Sequence, residues 1–245
     1  MTKSNKKLIY EQIEPVTLGM SQKSQDSLIE FTFNSVVGTT NKYYIEFGAM
    51  DGYQLCNTYY FREHQGWNGL LLEGNQRFNE NLDINLHIRR LSKDTICDTF
   101  KEFNVPNEPD FLCIDLDGMD YWIMNSILEG GYKPRVIMIE CNVRFEPNES
   151  YTIKYDENWD WDGVDWYGAS PYAFKKMFNS YDYIPVWIHI DDMIVIRRDV
   201  LEENGYSEPD WNYVYPQSNF DLYNDHRHSN GKFVSELNLN TWQKI

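Results

Sequence analysis

Tyr43-Tyr-Ile-Glu-Phe-Gly-Ala-Met-Asp-Gly52 begins as a short β-prone run and ends in a glycine turn, and its reading decides the fold. Outward from it the same punctuation recurs. Gly69-Leu-Leu-Leu-Glu73, Phe111-Leu-Cys-Ile-Asp115 and Val136-Ile-Met-Ile-Glu140 are apolar runs that each end in a carboxylate, and Ile84 to Ile88 offers another short strand. Strands with no polar alternation are buried on both faces, the condition of a parallel sheet covered by helices. Helical spacing fills the gaps between them. Ser24 to Val37 stops at Gly38, Asn57 to His64 at Gly66, and Tyr121 to Leu128 at Gly130-Gly131. Ser92 is placed as the N-cap of a helix from Asp94 to Phe103, and Ser170 opens another that includes Ala173 to Phe178.

Tyr183 to Ile188 and Met193 to Arg197, joined by His189-Ile-Asp-Asp192, read as an antiparallel hairpin. Five parallel strands finished by a hairpin predict an α/β fold of the class I methyltransferase, Rossmann-like kind: a mostly parallel central sheet with helices on both faces. A dinucleotide-binding sheet would finish on another parallel strand. The reading divides the chain into a lead-in over 1–22 that docks through Leu8-Ile9-Tyr10, a main domain over 23–200, and an extension over 201–245 packed on or near it.

The bulk numbers bound the function. With 245 residues, 42% hydrophobic and 24% charged, the chain is long enough for one well-filled α/β domain. Its formal charge of −16 would be repelled by a nucleic acid or a membrane surface unless a basic stripe compensated, and Arg89-Arg90 and Arg197-Arg198 are only pairs. Nucleic-acid partners are therefore not expected. Cys56, Cys97, Cys113 and Cys141 are scattered without zinc spacing, and no apolar run approaches the ~20 residues of a membrane span. The expectation is a reduced, cytoplasmic protein without membrane insertion.

In sheets of this kind ligands bind beyond the carboxyl ends of the strands, near the switch point of the winding order. That rule collects Glu46 to Gly52, Glu73, Asp115 to Asp120, and Glu140 with Asn142 on one edge. In the first group Gly48 and Gly52 let the backbone approach a ligand, with Ala49 and Asp51 between them. Glu73 ends the next strand, where a carboxylate accepts hydrogen bonds from both hydroxyls of a ribose. A nicotinamide nucleotide uses the same acidic residue, but this loop lacks the full Gly-x-Gly-x-x-Gly that clears room for a pyrophosphate. S-adenosylmethionine has none.

Asp115-Leu-Asp117-Gly-Met-Asp120 puts three carboxylates within one turn. Like charges so packed call for a cation or a shared proton. Asp115, Glu140 and Asn142 form an oxygen-only ligand set that suits Mg²⁺ or Mn²⁺, while helix capping by Asp117 or Asp120 explains part of the same pattern. Asp115, Asp117 and His189 are the candidate catalytic residues, with His226 and His228 as further candidate bases. The loop Trp159-Asp-Trp-Asp-Gly-Val-Asp-Trp-Tyr167 joins aromatic faces to carboxylates, as sugar sites do, and Trp159, Trp161, Trp166 and Tyr167 are candidates for holding an acceptor. The competing reading is a loop that only packs on the sheet edge.

Several of these stretches together resemble the FkbM-type methyltransferases. They are Glu46 to Gly52, Cys56-Asn-Thr58, Gly66 to Glu73, Asp110 to Ile123, Val136 to Asn142 and Tyr167-Gly-Ala-Ser170; the resemblance covers roughly Tyr43 to Arg198. It implies a class I methyltransferase fold and transfer of a methyl group from S-adenosylmethionine to a hydroxyl of a sugar, glycan or other small molecule. It also adds Asn57 and Thr58 to the cofactor residues. The chain departs from the family in a short stretch between Glu73 and Asp94 and in the tail from Leu201 to Ile245. Two rivals stand beside it: a nucleotide-sugar glycosyltransferase with a metal on Asp115-x-Asp117, and a glycan-binding protein without turnover.

Overall fold

The carboxylate-terminated apolar runs form parallel strands: β1 Tyr43–Phe47, β2 Asn68–Glu73, β4 Phe111–Ile114 and β5 Val136–Glu140. A short edge strand, β3 Leu86–Ile88, pairs with β2, and the expected hairpin forms from β7 Tyr183–His189 and β8 Asp192–Arg197. The chain is seen as a computed structural model that describes residues 10, 13–161, 167–217 and 241–245. The sheet order is β3-β2-β1-β4-β5-β8-β7, with β8 antiparallel to both neighbours. This is the class I methyltransferase arrangement of the Rossmann-like α/β fold, and its winding direction reverses between β1 and β4.

Alternate residues of each strand enter two different cores. Ile45, Phe47, Leu70, Leu72, Leu112, Ile114, Ile137 and Ile139 face one side, where α3 (Ile96–Glu102), α4 (Asp120–Glu129) and α5 (Pro171–Ser180) bring Phe100, Ile123, Ile127, Phe174 and Phe178. Tyr44, Leu71, Phe111, Cys113 and Met138 face the other. There they meet Leu28, Ile29 and Phe33 from α1 (Gln25–Phe31) and the π-helical turn Thr32–Val37 that continues it. Phe61 of α2 (Tyr59–Gln65) and Leu201 of α6 (Arg198–Glu203) complete that side. Each such side chain, fully buried, contributes about 1.5–3 kcal/mol, so two cores rather than strand propensity hold the sheet.

Local signals were mostly where the sequence puts them. Gly66 takes a left-handed conformation at the end of α2, and the Ser170 hydroxyl accepts the Ala173 amide at the start of α5. Three expectations change. The third strand begins at Leu86, because Leu82–Ile84 winds into a 3₁₀ turn capped by Asn81. The helix assigned to Asp94 begins at Ile96: Ser92 accepts the Thr95 and Ile96 amides through its carbonyl, and its hydroxyl pairs with Thr95 rather than capping. Finally β6 (Tyr151–Ile153) and β9 (Trp242–Lys244) form a separate antiparallel pair that the sequence reading does not contain. A last short helix, α7, spans Trp211–Val214.

Tyr10 is buried from the lead-in, with its hydroxyl 2.8 Å from Thr32 Oγ1 and its ring on Phe31 and Trp187; Leu8 and Ile9 lie outside the described residues. No helix among the described residues is long and apolar enough to cross a membrane.

Candidate functional site

The loops after β1 and β4 meet at the switch point. Gly48 has φ +72°, and a Cβ there would stand 2.0 Å from the Asp115 carbonyl oxygen, so only glycine lets the two loops touch. The Gly48 and Ala49 amides donate to Leu72 at 3.0 and 3.3 Å. Met50 follows at φ +52°, a strained conformation that aims its amide at Glu73 Oε2, 2.8 Å away. Asp51 closes the turn by accepting the Tyr53 and Gln54 amides, and the Gly52 carbonyl accepts from Arg62 at 2.7 Å.

Glu73 is nearly buried, and its other oxygen accepts the Asn75 amide at 2.6 Å. One backbone donor fixes each carboxylate oxygen, and each oxygen keeps a second lone pair for a ligand. Glu46 does something different. Its carboxylate accepts the Asn57 amide at 2.8 Å, the Thr58 amide at 2.9 Å and the Thr58 hydroxyl at 2.5 Å, with the Cys56 thiol at 3.2 Å. Glu46 is thus an internal strut that ties residues 56–58 to the end of β1, and Thr58 belongs to the same strut. Asn57 is held there with its Oδ1 buried and without a hydrogen-bond partner, while its Nδ2 touches Cys113 Sγ at 3.5 Å.

Beyond β4 and β5 the carboxylates converge. Asp115, Asp117 and Glu140 each offer an oxygen within 4.8 Å of the others. Asp120, fully buried, shapes the loop by accepting the Leu116 and Gly118 amides at 2.8 and 2.9 Å. Burial pushes its carboxyl up to about 6 against the pull of those two amides. Burial and the neighbouring acids lift Asp115 and Glu140 well above the usual carboxylate range, and burial also raises Asp117.

Asn142, the other expected ligand, is held within the loops that follow β5. Its amide staples loops together, with Nδ2 donating to the Tyr167 carbonyl at 3.1 Å and Oδ1 accepting the Arg144 amide at 3.2 Å. Asp117 joins Asp115 and Glu140 through a turn at φ +53°, a conformation that spacing along the chain does not reveal.

The β7–β8 hairpin adds residues that the sequence reading used only as a connector. Asp192 faces Glu140 across the sheet, and burial with the Asp191 charge beside it pushes its carboxyl up to about 7. Gln25 Nε2 donates to Asp192 at 2.9 Å, and Lys23 bonds both oxygens of Asp191 at 2.6 and 2.7 Å. His189 is pinned by its Nε2 to the Lys23 carbonyl at 2.7 Å, and burial lowers its pKa. A sequence signal for this group existed: adjacent acids in a tight hairpin opposite a strand that itself ends in Glu140.

Trp159 covers the Asp117–Gly118 turn. Trp159 donates its indole N–H to the Asp117 carbonyl at 3.1 Å, and its ring fills the space where a Cβ on Gly118 would lie. Arg90, from the segment after β3, holds the Glu157 and Trp159 carbonyls and the Asp160 carboxylate. Trp161 is exposed and meets the Tyr167 ring edge-on at 6.4 Å, whereas Trp166 lies outside the described residues, as do His226 and His228. A cavity of about 450 Å³ lies at the opposite edge of the sheet, between Tyr132, Lys133, Tyr183 and Arg197. There Arg197 is bonded to Glu108 and Asp199, far from the carboxylate cluster.

No family model and no curated protein matches this sequence. Among solved structures, one similar chain is CalO1, a methyltransferase in calicheamicin biosynthesis, in its SAH-bound form: TM-score 0.36 and 13% identity over 69% of this chain. The match covers 54% of CalO1, so this chain spans about half the length of that protein.

Proposed function

We propose that this chain is an S-adenosylmethionine-dependent methyltransferase acting on a hydroxyl group of a glycan or other small molecule. One observation carries the reading. Glu73, at the end of β2, is fixed by the Met50 and Asn75 amides beside a glycine turn packed too tightly for a Cβ, and it keeps two lone pairs for a pair of ribose hydroxyls. The orphaned Asn57 Oδ1 is a second fit, since a buried acceptor without a donor suits an ammonium. The cofactor, when bound, supplies an electrophilic methyl group.

The chain's own residues orient and activate the acceptor. In-line displacement at carbon gains much of its rate from alignment, for which Trp159 over Asp117 and Gly118 is the support. A sugar hydroxyl is a weak nucleophile at neutral pH and must lose its proton, which places it at the Asp115–Asp117–Glu140 cluster. The motif resemblance to FkbM-type enzymes agrees with this assignment. The acidic surface disfavours a nucleic-acid acceptor.

Calorimetric titration with S-adenosylmethionine and S-adenosylhomocysteine tests it. The expected result is micromolar binding, weakened by Glu73→Ala at least tenfold, about 1.4 kcal/mol. Binding of neither ligand overturns the proposal. A nucleotide diphosphate sugar bound instead would favour the glycosyltransferase reading of Asp115-x-Asp117.

A further inference from the structure

We infer that Asp115, Asp117 and Glu140 form a binding site for one divalent, oxygen-preferring cation of the Mg²⁺ or Mn²⁺ class. The geometry is the first support. Asp115, Asp117 and Glu140 each offer an oxygen within 4.8 Å of the other two, close enough for one ion to be shared among them. The second support is independent. Glu140 Oε2 is sealed from solvent and has no hydrogen-bond partner. A buried carboxylate oxygen in that state is costly unless a ligand completes it.

The surroundings supply no substitute. Among the described residues, no Lys, Arg or His forms a salt bridge with these three carboxylates; Lys23, on the same edge, is committed to both oxygens of Asp191. The backbone is also set for the purpose. Asp117 is held at φ +53° while its carbonyl takes the Trp159 indole, and Asp120 locks the turn from beneath through the Leu116 and Gly118 amides. All donors are carboxylate oxygens, which selects against zinc and the softer metals. The catalytic use of the cation, polarising an acceptor hydroxyl, rests on the methyltransfer reading; its binding does not.

The test is titration of Mn²⁺ into the full chain without S-adenosylmethionine, followed by the electron paramagnetic resonance of the free ion. One saturable site per chain is expected, at least tenfold weaker in Glu140→Gln and in Asp117→Asn and unaltered in Asp98→Asn, a surface acid on α3. Thermal melts check the folding of each variant. Mn²⁺ should raise the midpoint of the wild type by several degrees and leave that of the two cluster variants in place. No saturable site in the wild type, or equal affinity in all variants, overturns the inference. A chain that binds Mn²⁺ but not S-adenosylmethionine defeats the methyltransfer reading alone; the reverse result defeats this one alone.

Discussion

Strand β4 has an aspartate at each end, and the two have opposite fates. Asp110, just before the strand, accepts the Thr40, Asn41 and Lys42 amides and the Thr40 hydroxyl, and pairs with Arg135 at 2.8 Å. Burial works against its charge, but Arg135 and these donors outweigh it and hold the carboxyl below its ordinary range. Asp115, just after the strand, is half-buried among other acids with no such partners, and desolvation together with those acids raises its carboxyl. The same residue type on the same four-residue strand is a structural tie at one edge and an uncompensated charge at the other. A buried carboxylate with a complete set of donors is part of the fold. One left incomplete is waiting for something the fold does not contain.

That contrast can be broken most severely at its satisfied end. Asp110→Ala leaves Arg135 and three amides without their acceptor, and unfolding in denaturant should show a loss of about 3–5 kcal/mol. A loss below ~1 kcal/mol would mean that the tie is dispensable. At the other end the sign should invert. Asp115→Asn removes a like charge from a crowded cluster, so the same measurement should give no loss, or a gain of about 1 kcal/mol. Methyl transfer should nonetheless fall by two orders of magnitude or more. Destabilisation comparable to that of Asp110→Ala would erase the distinction.

The smallest effect sharpens the contrast through pH. A carboxyl raised by folding holds a proton that the unfolded chain has already released, so its contribution weakens as pH climbs from the unfolded value through the folded one. With Asp120 at about 6 and Asp192 at about 7, the melting midpoint should decline between roughly pH 4 and 7. Asp110, lowered by folding, acts oppositely: its contribution is complete above the unfolded value and is lost only as pH falls through the folded one. Asp192→Asn should flatten the decline by a few degrees. An unchanged slope would remove Asp192 from the cluster's titration.

The strands and the glycine turn were legible because each announces itself locally. Apolar runs such as Leu70-Leu-Leu72 have one buried solution, and Gly48 sits where no side chain fits. Glu73 and Asp115 followed from the rule that strand ends collect ligands. What could not be read depends on direction and distance. Asp117 meets Glu140 through a left-handed backbone turn, and Glu46 turns inward to residues 56–58 because its side chain shares the face of Tyr44. Lys23 and Asp191 meet across 168 positions of sequence, which no local pattern encodes.

The pairing of Tyr151–Ile153 with Trp242–Lys244 also sets an order of events during synthesis. Within the β1–β5 half the longest reach is that from Tyr44 to Phe111, and the other pairs lie much closer along the emerging chain. Strand β6 waits for a partner about ninety residues further on, and such long-range pairings form slowly. On the ribosome, β1 to β5 therefore pair while β6 still lacks its partner.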